Sequence, residues 1–219
     1  MKSALNRLAF AIGGAVLLAG ALTACVPLVM GGAVAGGSLL AIDRRTSGAQ
    51  LEDEGIELRL ASRIRGTFGD QVHVNQTSYN RQVLLTGEVP STQVKQQVEQ
   101  VAAGVENVTS VVNDLAVTGQ TSFSQRSNDT FLTGRVKAML LDARDLQSNA
   151  FKVVTERGSV YLMGRVTQRE ADRATQVARS TPGVQKVIRV FEVISEQELA
   201  RLAPPPAKPP PAPLKPADN

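Results

Sequence analysis

The chain has 219 residues, a formal charge of +4 and an isoelectric point near 9.5. One cysteine, one histidine, no tryptophan and 4% aromatic residues exclude an internal disulfide and a Cys/His metal set, and leave little with which to stack bases. Charges of both signs are interspersed as on a mixed solvated surface, so nucleic acid is not expected as a partner; no cofactor is expected either, since the glycines at 31–32 and 36–37 do not follow a strand and open a helix as a phosphate cradle would.

Residues 1–24 read as a signal peptide. Lys2 and Arg7 precede an apolar run from Leu8 to Leu22, and Leu22-Thr23-Ala24-Cys25 closes it. A short apolar run with a basic flank and a small-residue exit is a secretory signal rather than a membrane span. Residues 25–50 form a Gly/Ala-rich tether. Its apolar part, 26–42, sits at the bottom of the spanning range. Pro27 and the glycine pairs at 31–32 and 36–37 favour a flexible tether lying on a membrane over a second span. Asp43 to Gly48 marks the exit into water.

The first folded unit is 51–117. A helix over about 51–68 places Ile56, Leu60, Ile64 and Phe68 near one face. Glu52, Asp53 and Glu54 fall in its first turn, where carboxylates suit the helix dipole. Strands over 71–76 and 82–88 meet at Tyr79-Asn80-Arg81, a helix over 91–103 is capped by Ser91, and a strand covers 106–117. Residues 118–127 read as a polar linker.

The second unit, 128–195, repeats the plan. Asn128-Asp129-Thr130 caps a helix over about 130–144, and strands near 150–155 and 159–165 meet at Arg157-Gly158. Thr167-x-x-Glu170 is a capping box opening a helix with a small buried face, Ala171, Ala174 and Ala178. Thr181-Pro182-Gly183 stops it, and Val184 to Ile194 is the last strand. Residues 196–219, Pro-rich from Ala203, read as a mobile tail.

The two units are copies of each other. Val83-Leu84-Leu85-Thr86-Gly87-Glu88-Val89 matches Val160-Tyr161-Leu162-Met163-Gly164-Arg165-Val166, and Gly104-Val105-Glu106-Asn107-Val108 matches Gly183-Val184-Gln185-Lys186-Val187. Upstream, Ile56, Leu60 and Ile64 correspond to Leu132, Val136 and Leu140. The fold class is therefore α+β: two tandem αββαβ domains, each a three-stranded mixed sheet with two helices on one face.

An αββαβ unit with the strand-end Gly87 or Gly164 and a Gly-Val-x-x-Val before its last strand resembles the BON domain. Two of them behind Leu22-Thr23-Ala24-Cys25 resemble the dual-BON outer-membrane lipoproteins of the DolP (YraP) family, over roughly residues 1–195. The tetrapeptide itself resembles a lipobox, which implies cleavage before Cys25 and acylation of its thiol and freed amine. A plain signal peptide with an incidental cysteine is the alternative. Three acyl chains, at ~0.8 kcal/mol per buried CH₂, hold a protein on a membrane essentially permanently. Val26 in place of an aspartate implies export to the outer membrane, by resemblance to enterobacterial lipoproteins. The resemblance further implies the periplasmic side, a role in envelope integrity, and association with division sites and the outer-membrane β-barrel assembly machinery. It also implies that the second BON domain contacts an anionic phospholipid, phosphatidylglycerol.

No catalytic constellation is expected. His73 lies in an alternating strand, where a partner-satisfied structural histidine is the better reading, and no second histidine or base-nucleophile pair accompanies it. The first helix of copy two is more informative. At 3.6 residues per turn, Leu132, Val136, Met139, Leu140 and Ala143 gather on a core face. Leu141 falls nearly opposite, Phe131 and Ala138 lie between, and Lys137 and Arg144 flank Leu141. The matching positions in copy one are Gly55 for Phe131 and Arg65 for Leu141, so copy two alone is expected to carry a second apolar strip beside cations. Such a strip suits an anionic bilayer, which is the preferred reading; a seam packed against copy one or the linker is the alternative, and a scattered exposed leucine the remaining one. Carried over from the family, the candidate phospholipid-binding set is Phe131 and Leu141, with Val136 and Met139 behind them and Ala138, Lys137 and Arg144 alongside. A lipid-anchored protein–protein adaptor is the alternative function.

Overall fold

In the computed structural model, which describes residues 43–202, the order αββαβ occurs twice. Cys25, the apolar tether and the Pro-rich stretch from Ala203 lie outside the described residues. The first domain runs α1 (Ser47–Phe68), β1 (His73–Tyr79), β2 (Gln82–Val89), α2 (Thr92–Ala103), β3 (Ser110–Asn113) and β4 (Ala116–Val117). The second runs α3 (Phe123–Asp142), β5 (Lys152–Glu156), β6 (Ser159–Val166), α4 (Gln168–Ser180) and β7 (Lys186–Val193), and a short helix α5 (Glu196–Leu202) follows. α5 occupies the start of the segment expected to be a tail.

Each sheet is centred on its second strand. β2 pairs antiparallel with β1 and parallel with both β3 and β4. The last strand of copy one, expected as one piece, is thus split at Asp114-Leu115, where Leu115 turns into the core. β6 pairs antiparallel with β5 and parallel with β7 along its whole length. Ile56, Leu60 and Ile64 pack on Val83 and Leu85 in one core, and Leu132, Val136 and Leu140 on Val160 and Leu162 in the other. Ala171, Ala174 and Ala178 let α4 approach closely, as their size requires.

The opposite faces of the two sheets bury each other. Tyr79 and Leu84 form one cluster with Tyr161, Met163 and Val190, so alternate residues of both central strands serve either a helix layer or the partner sheet. That explains the uninterrupted apolar runs, which a sheet with one wet face would not need. The seam is edged by hydrogen bonds: Asn75 Nδ2 donates to Glu156 at 2.7 Å, Asn80 Nδ2 to Glu192 at 2.6 Å and the Tyr161 hydroxyl to Asp114 at 2.8 Å. Burial, then that acceptor, pushes the Tyr161 phenol above its ordinary pKa. The result is four layers, helices outside and sheets within.

A buried aspartate in each first helix holds the hairpin beneath it. Asp53 accepts from the amides of Asn80 and Arg81 at 2.7 Å each and from Ser78 Oγ, and Asp129 accepts from the amides of Arg157 and Gly158 at 2.8 Å. The turn residues all have positive φ, the geometry of a tight hairpin turn whose outward amides need an acceptor. Two expectations are corrected here. α1 begins at Ser47, so Asp53 lies beyond its first turn and is a buried latch rather than a dipole partner. α3 begins at Phe123, capped by Ser122 with Gln125 answering it, so Asp129 is mid-helix and the supposed linker already contains a helical turn. Burial works to raise the Asp53 carboxyl, but Ser78, the Arg81 amide, Arg45 and the Asn80 amide hold it below its ordinary value. Its stabilisation is present above the unfolded value near ~3.9 and is lost as pH falls through the depressed folded value. Asp53→Asn should cost about 2–3 kcal/mol at pH 7 and flatten the stability profile between about pH 5 and 3; equal urea-midpoint slopes for wild type and variant would refute the latch.

Candidate functional site

α3 spans the outer layer of the second domain. Its inner side is set by Leu132, Val136 and Leu140 at helical spacing, and what this leaves outside is apolar at three places. Phe123 is 79% exposed, Phe131 66% and Leu141 69%. Phe123 and Leu141 are each nine positions from Leu132, two and a half turns, and so share the azimuth opposite the core about 27 Å apart. Phe131 stands between them and to one side. The Arg135 guanidinium lies 4.7 Å from the centre of its ring and also donates to the Pro182 carbonyl at 2.7 Å. The ring thus has a cation against its face that is itself held from behind.

The expected site residues divide accordingly. Phe131, Ala138, Lys137 and Leu141 share the exposed side. Val136 is fully buried in the domain core and cannot touch a ligand there, because its place on the wheel beside Leu132 and Leu140 commits it inward. Arg144 is exposed but follows the helix end, since Ala143 closes α3 by bonding back to Met139. Met139 sits at the margin. The seam reading of Phe131 and Leu141 fails, because the domains meet through their sheets. Phe123 and Arg135 were missed. With Asn128 as the expected cap, Phe123 falls in the expected linker; Ser122-x-x-Gln125 is the local signal that puts it on the helix.

The strip is not confined to copy two. Leu51 is 69% and Leu58 73% exposed on α1, seven positions apart and opposite Leu60 and Ile56. These leucines are not the positional counterparts of Phe131 and Leu141, which in copy one are Gly55 and Arg65. Because the helix layers are the two outer faces of the sandwich, this second strip and that of α3 lie on opposite sides.

The chain's entry point is built into this site. Arg44 was expected in water but is 6% exposed. Its Nη1 and Nη2 grip Glu170 at 2.8 and 2.7 Å, and it also donates to the Arg165 carbonyl and Gln147. Arg45 turns the other way, bonding Asp43 and Asp53 and lying 4.4 Å over the Tyr79 ring. The strap 43–46 thus fastens to the second domain before the chain enters the first. Asp43 borders a surface cleft of about 490 Å³ together with Lys137 and Leu141, over an apolar floor of Leu140, Phe151 and Val153.

His73 meets its expected kind of partner. Its Nδ1 lies 2.8 Å from Glu88, which also accepts from the amide of Thr121. Glu88 is buried, and its other oxygen is 3.9 Å from Arg157. Among the described residues no group of three or more His, Cys, Asp or Glu is arranged to hold a metal ion, and no helix is long and apolar enough to cross a membrane.

The family model of the BON domain matches residues 52–119 and 128–195, the two αββαβ units. Over 195 residues the chain is 39% identical to the outer membrane lipoprotein DolP of Haemophilus influenzae, covering 88% of this chain and 98% of that one. It is 33% identical to the 21 kDa hemolysin of Actinobacillus pleuropneumoniae, over 70% of this chain and 80% of that protein. It is 32% identical to the osmotically-inducible protein Y of Escherichia coli, over 58% and 68%. A repeated domain match on a repeated fold, with similarity running the length of a two-domain relative, places this chain in the BON-domain family and, within it, in the family of DolP.

Proposed function

We propose that the protein is a non-catalytic outer-membrane lipoprotein, anchored through Cys25 on the periplasmic side, that lays α3 on anionic phospholipid and so helps maintain membrane integrity. The observation that carries this reading is the meeting of anchor side and apolar face. Asp43, where the described chain begins, shares a cleft with Lys137 and Leu141, and Arg44 locks that entry to the second domain. An anchor pulling on residue 43 therefore pulls the α3 side toward the bilayer. Phe123, Phe131 and Leu141 can enter the interface while Lys137 and Arg135 meet phosphates, each surface cation adding ~1 kcal/mol. The relative from Haemophilus influenzae bears the name outer membrane lipoprotein, which supports the location.

The test is flotation of residues 43–219 with vesicles of phosphatidylglycerol or of phosphatidylcholine. Association with the anionic vesicles alone is expected, weakening as salt rises, and Leu141→Glu should lower it by about tenfold or more while circular dichroism stays unchanged. Absence of binding at low salt would overturn lipid reading. The adaptor reading is favoured by one observation, the exposed Leu51 and Leu58 on the outer layer facing away from α3. On that reading these leucines meet protein partners, with division-site or β-barrel assembly proteins as the candidates that family resemblance offers.

A further inference from the structure

The outer side of α1 belongs to a longer pattern than its two exposed leucines. Leu51 and Leu58 fall in one series with Gly55, Ser62, Arg65 and the cap Gly69, spaced 4-3-4-3-4. Alternating steps of three and four keep a seam turned toward a partner helix, and at 3.6 residues per turn this one points away from Ile56, Leu60 and Ile64. The gaps between the leucines have no occupant within the chain. A Cβ at Gly69 would meet nothing within 4 Å, and one at Gly55 only the end of the Arg59 side chain at 3.0 Å. Glycine weakens a helix, yet no packing inside this domain asks for one at 55.

Charge runs along the same helix in two blocks. Glu52, Glu54 and Glu57 crowd its first half, and Arg59, Arg63 and Arg65 its second. Glu52 is engaged by Arg59 at 2.6 Å, Glu57 by Lys152 at 2.9 Å and Arg63 by the Gly104 carbonyl at 2.6 Å. Glu54 and Arg65, both exposed, have no ionic neighbour among the described residues, and helical spacing puts them on the same flank of the seam. An anionic bilayer is a poor occupant for a strip that starts among carboxylates. A helix of the same make running the other way is a good one, since it sets basic half on acidic half. A parallel copy would set like on like.

We propose that the occupant is a second copy of this chain, its α1 laid antiparallel on this one about a two-fold axis. With Leu58 seated over Ser62 of the second copy, Leu51 falls over its Gly69, and Arg65 over its Gly55, next to its Glu54. Each leucine then meets a small residue, and the two unpaired charges match. Every contact occurs twice, as a two-fold requires. The helix has 22 residues, about 33 Å, and one such pair buries less than the ~1,600 Å² of a standard interface. The dimer is therefore weak, dissociating at about 10–100 µM. Because α3 lies on the opposite side and stays free, the pairing is independent of the reading that α3 lies on a bilayer.

Sedimentation equilibrium of the full-length protein, in a neutral detergent matched in density to the solvent and with micelles in excess, reads the mass of the protein alone. A monomer–dimer equilibrium is expected. Leu58→Glu should weaken it by at least about tenfold, and Glu54→Arg or Arg65→Glu by about tenfold, with circular dichroism unchanged. The decisive arm mixes the two charge variants. Each repels its own kind, but in the mixture every contact between positions 54 and 65 joins opposite charges, so pairing should return. Monomer alone up to about 1 mM, or a mixture that pairs no better than its components, would overturn the proposal. So would loss of vesicle flotation by Leu58→Glu chains dilute enough to be monomeric, which would give the strip to a bilayer.

Discussion

Arg44→Ala is expected to cost about 3–5 kcal/mol, because it strands a buried carboxylate. Glu170 and Arg44 have side chains only 4% exposed and meet at 2.7 Å. Removing the guanidinium leaves Glu170 with its capping bond from the Thr167 amide, which places the effect toward the lower end. Burial works to raise the Glu170 carboxyl, but Arg44 and the Thr167 amide hold it below its ordinary value. The pair's contribution is therefore present above the unfolded value near ~4.3 and lost as pH falls through the depressed folded value. In Arg44→Ala the desolvation is opposed only by the Thr167 amide, so the variant should lose stability at pH 7 and regain part of it on acidification. Urea unfolding of wild type, Arg44→Ala, Glu170→Gln and the double variant would measure this. The double variant should cost less than the sum of the singles, because the second removal takes away the orphan made by the first. A loss below about 1 kcal/mol for Arg44→Ala, the range of an exposed pair, would mean that the strap merely rests on the second domain.

Gly87→Ala should be as severe. The residue has φ +110°, and a Cβ there would stand 2.1 Å from the carbonyl oxygen of His73, so the start of β1 would have to move. Positive-φ strain adds roughly 1–3 kcal/mol and the backbone displacement adds to it, for a total of about 3 kcal/mol or more. That should lower the melting temperature by about 10 °C. Displacing His73 would also break its contact with Glu88. Gly134→Ala is the control: nothing lies within 4 Å of its would-be Cβ, and in an exposed helix the change should stabilise by up to about 1 kcal/mol. Equal melting temperatures for Gly87→Ala and wild type would refute the close-approach account of the repeated strand-end glycine.

Much of this molecule was written in local pattern. The repeat of Val-x-Leu-x-Gly-x-Val announced two copies, the box Thr167-x-x-Glu170 marked the start of α4, and Leu132, Val136 and Leu140 defined the core face of α3. The exposure of Leu141 followed from that, because its offset from those residues is fixed by the helix itself. What failed locally were readings at points where two signals competed. Asn128-Asp129-Thr130 resembles a cap as closely as Ser122-x-x-Gln125 does, and only the position of the β5–β6 turn decides that Asp129 is wanted mid-helix.

The sequence by itself determined the two αββαβ units, their cores and the outward leucine of α3, because those depend on periodicities of 2 and 3.6 within one segment. Only the tertiary structure decided what covers the second face of each sheet. An apolar run such as Val160 to Met163 says that both faces are buried and says nothing of the partner. The tertiary structure likewise decided that the strap belongs to the second domain, since Arg44 and Glu170 stand 126 positions apart and neither residue type carries a local sign of the other.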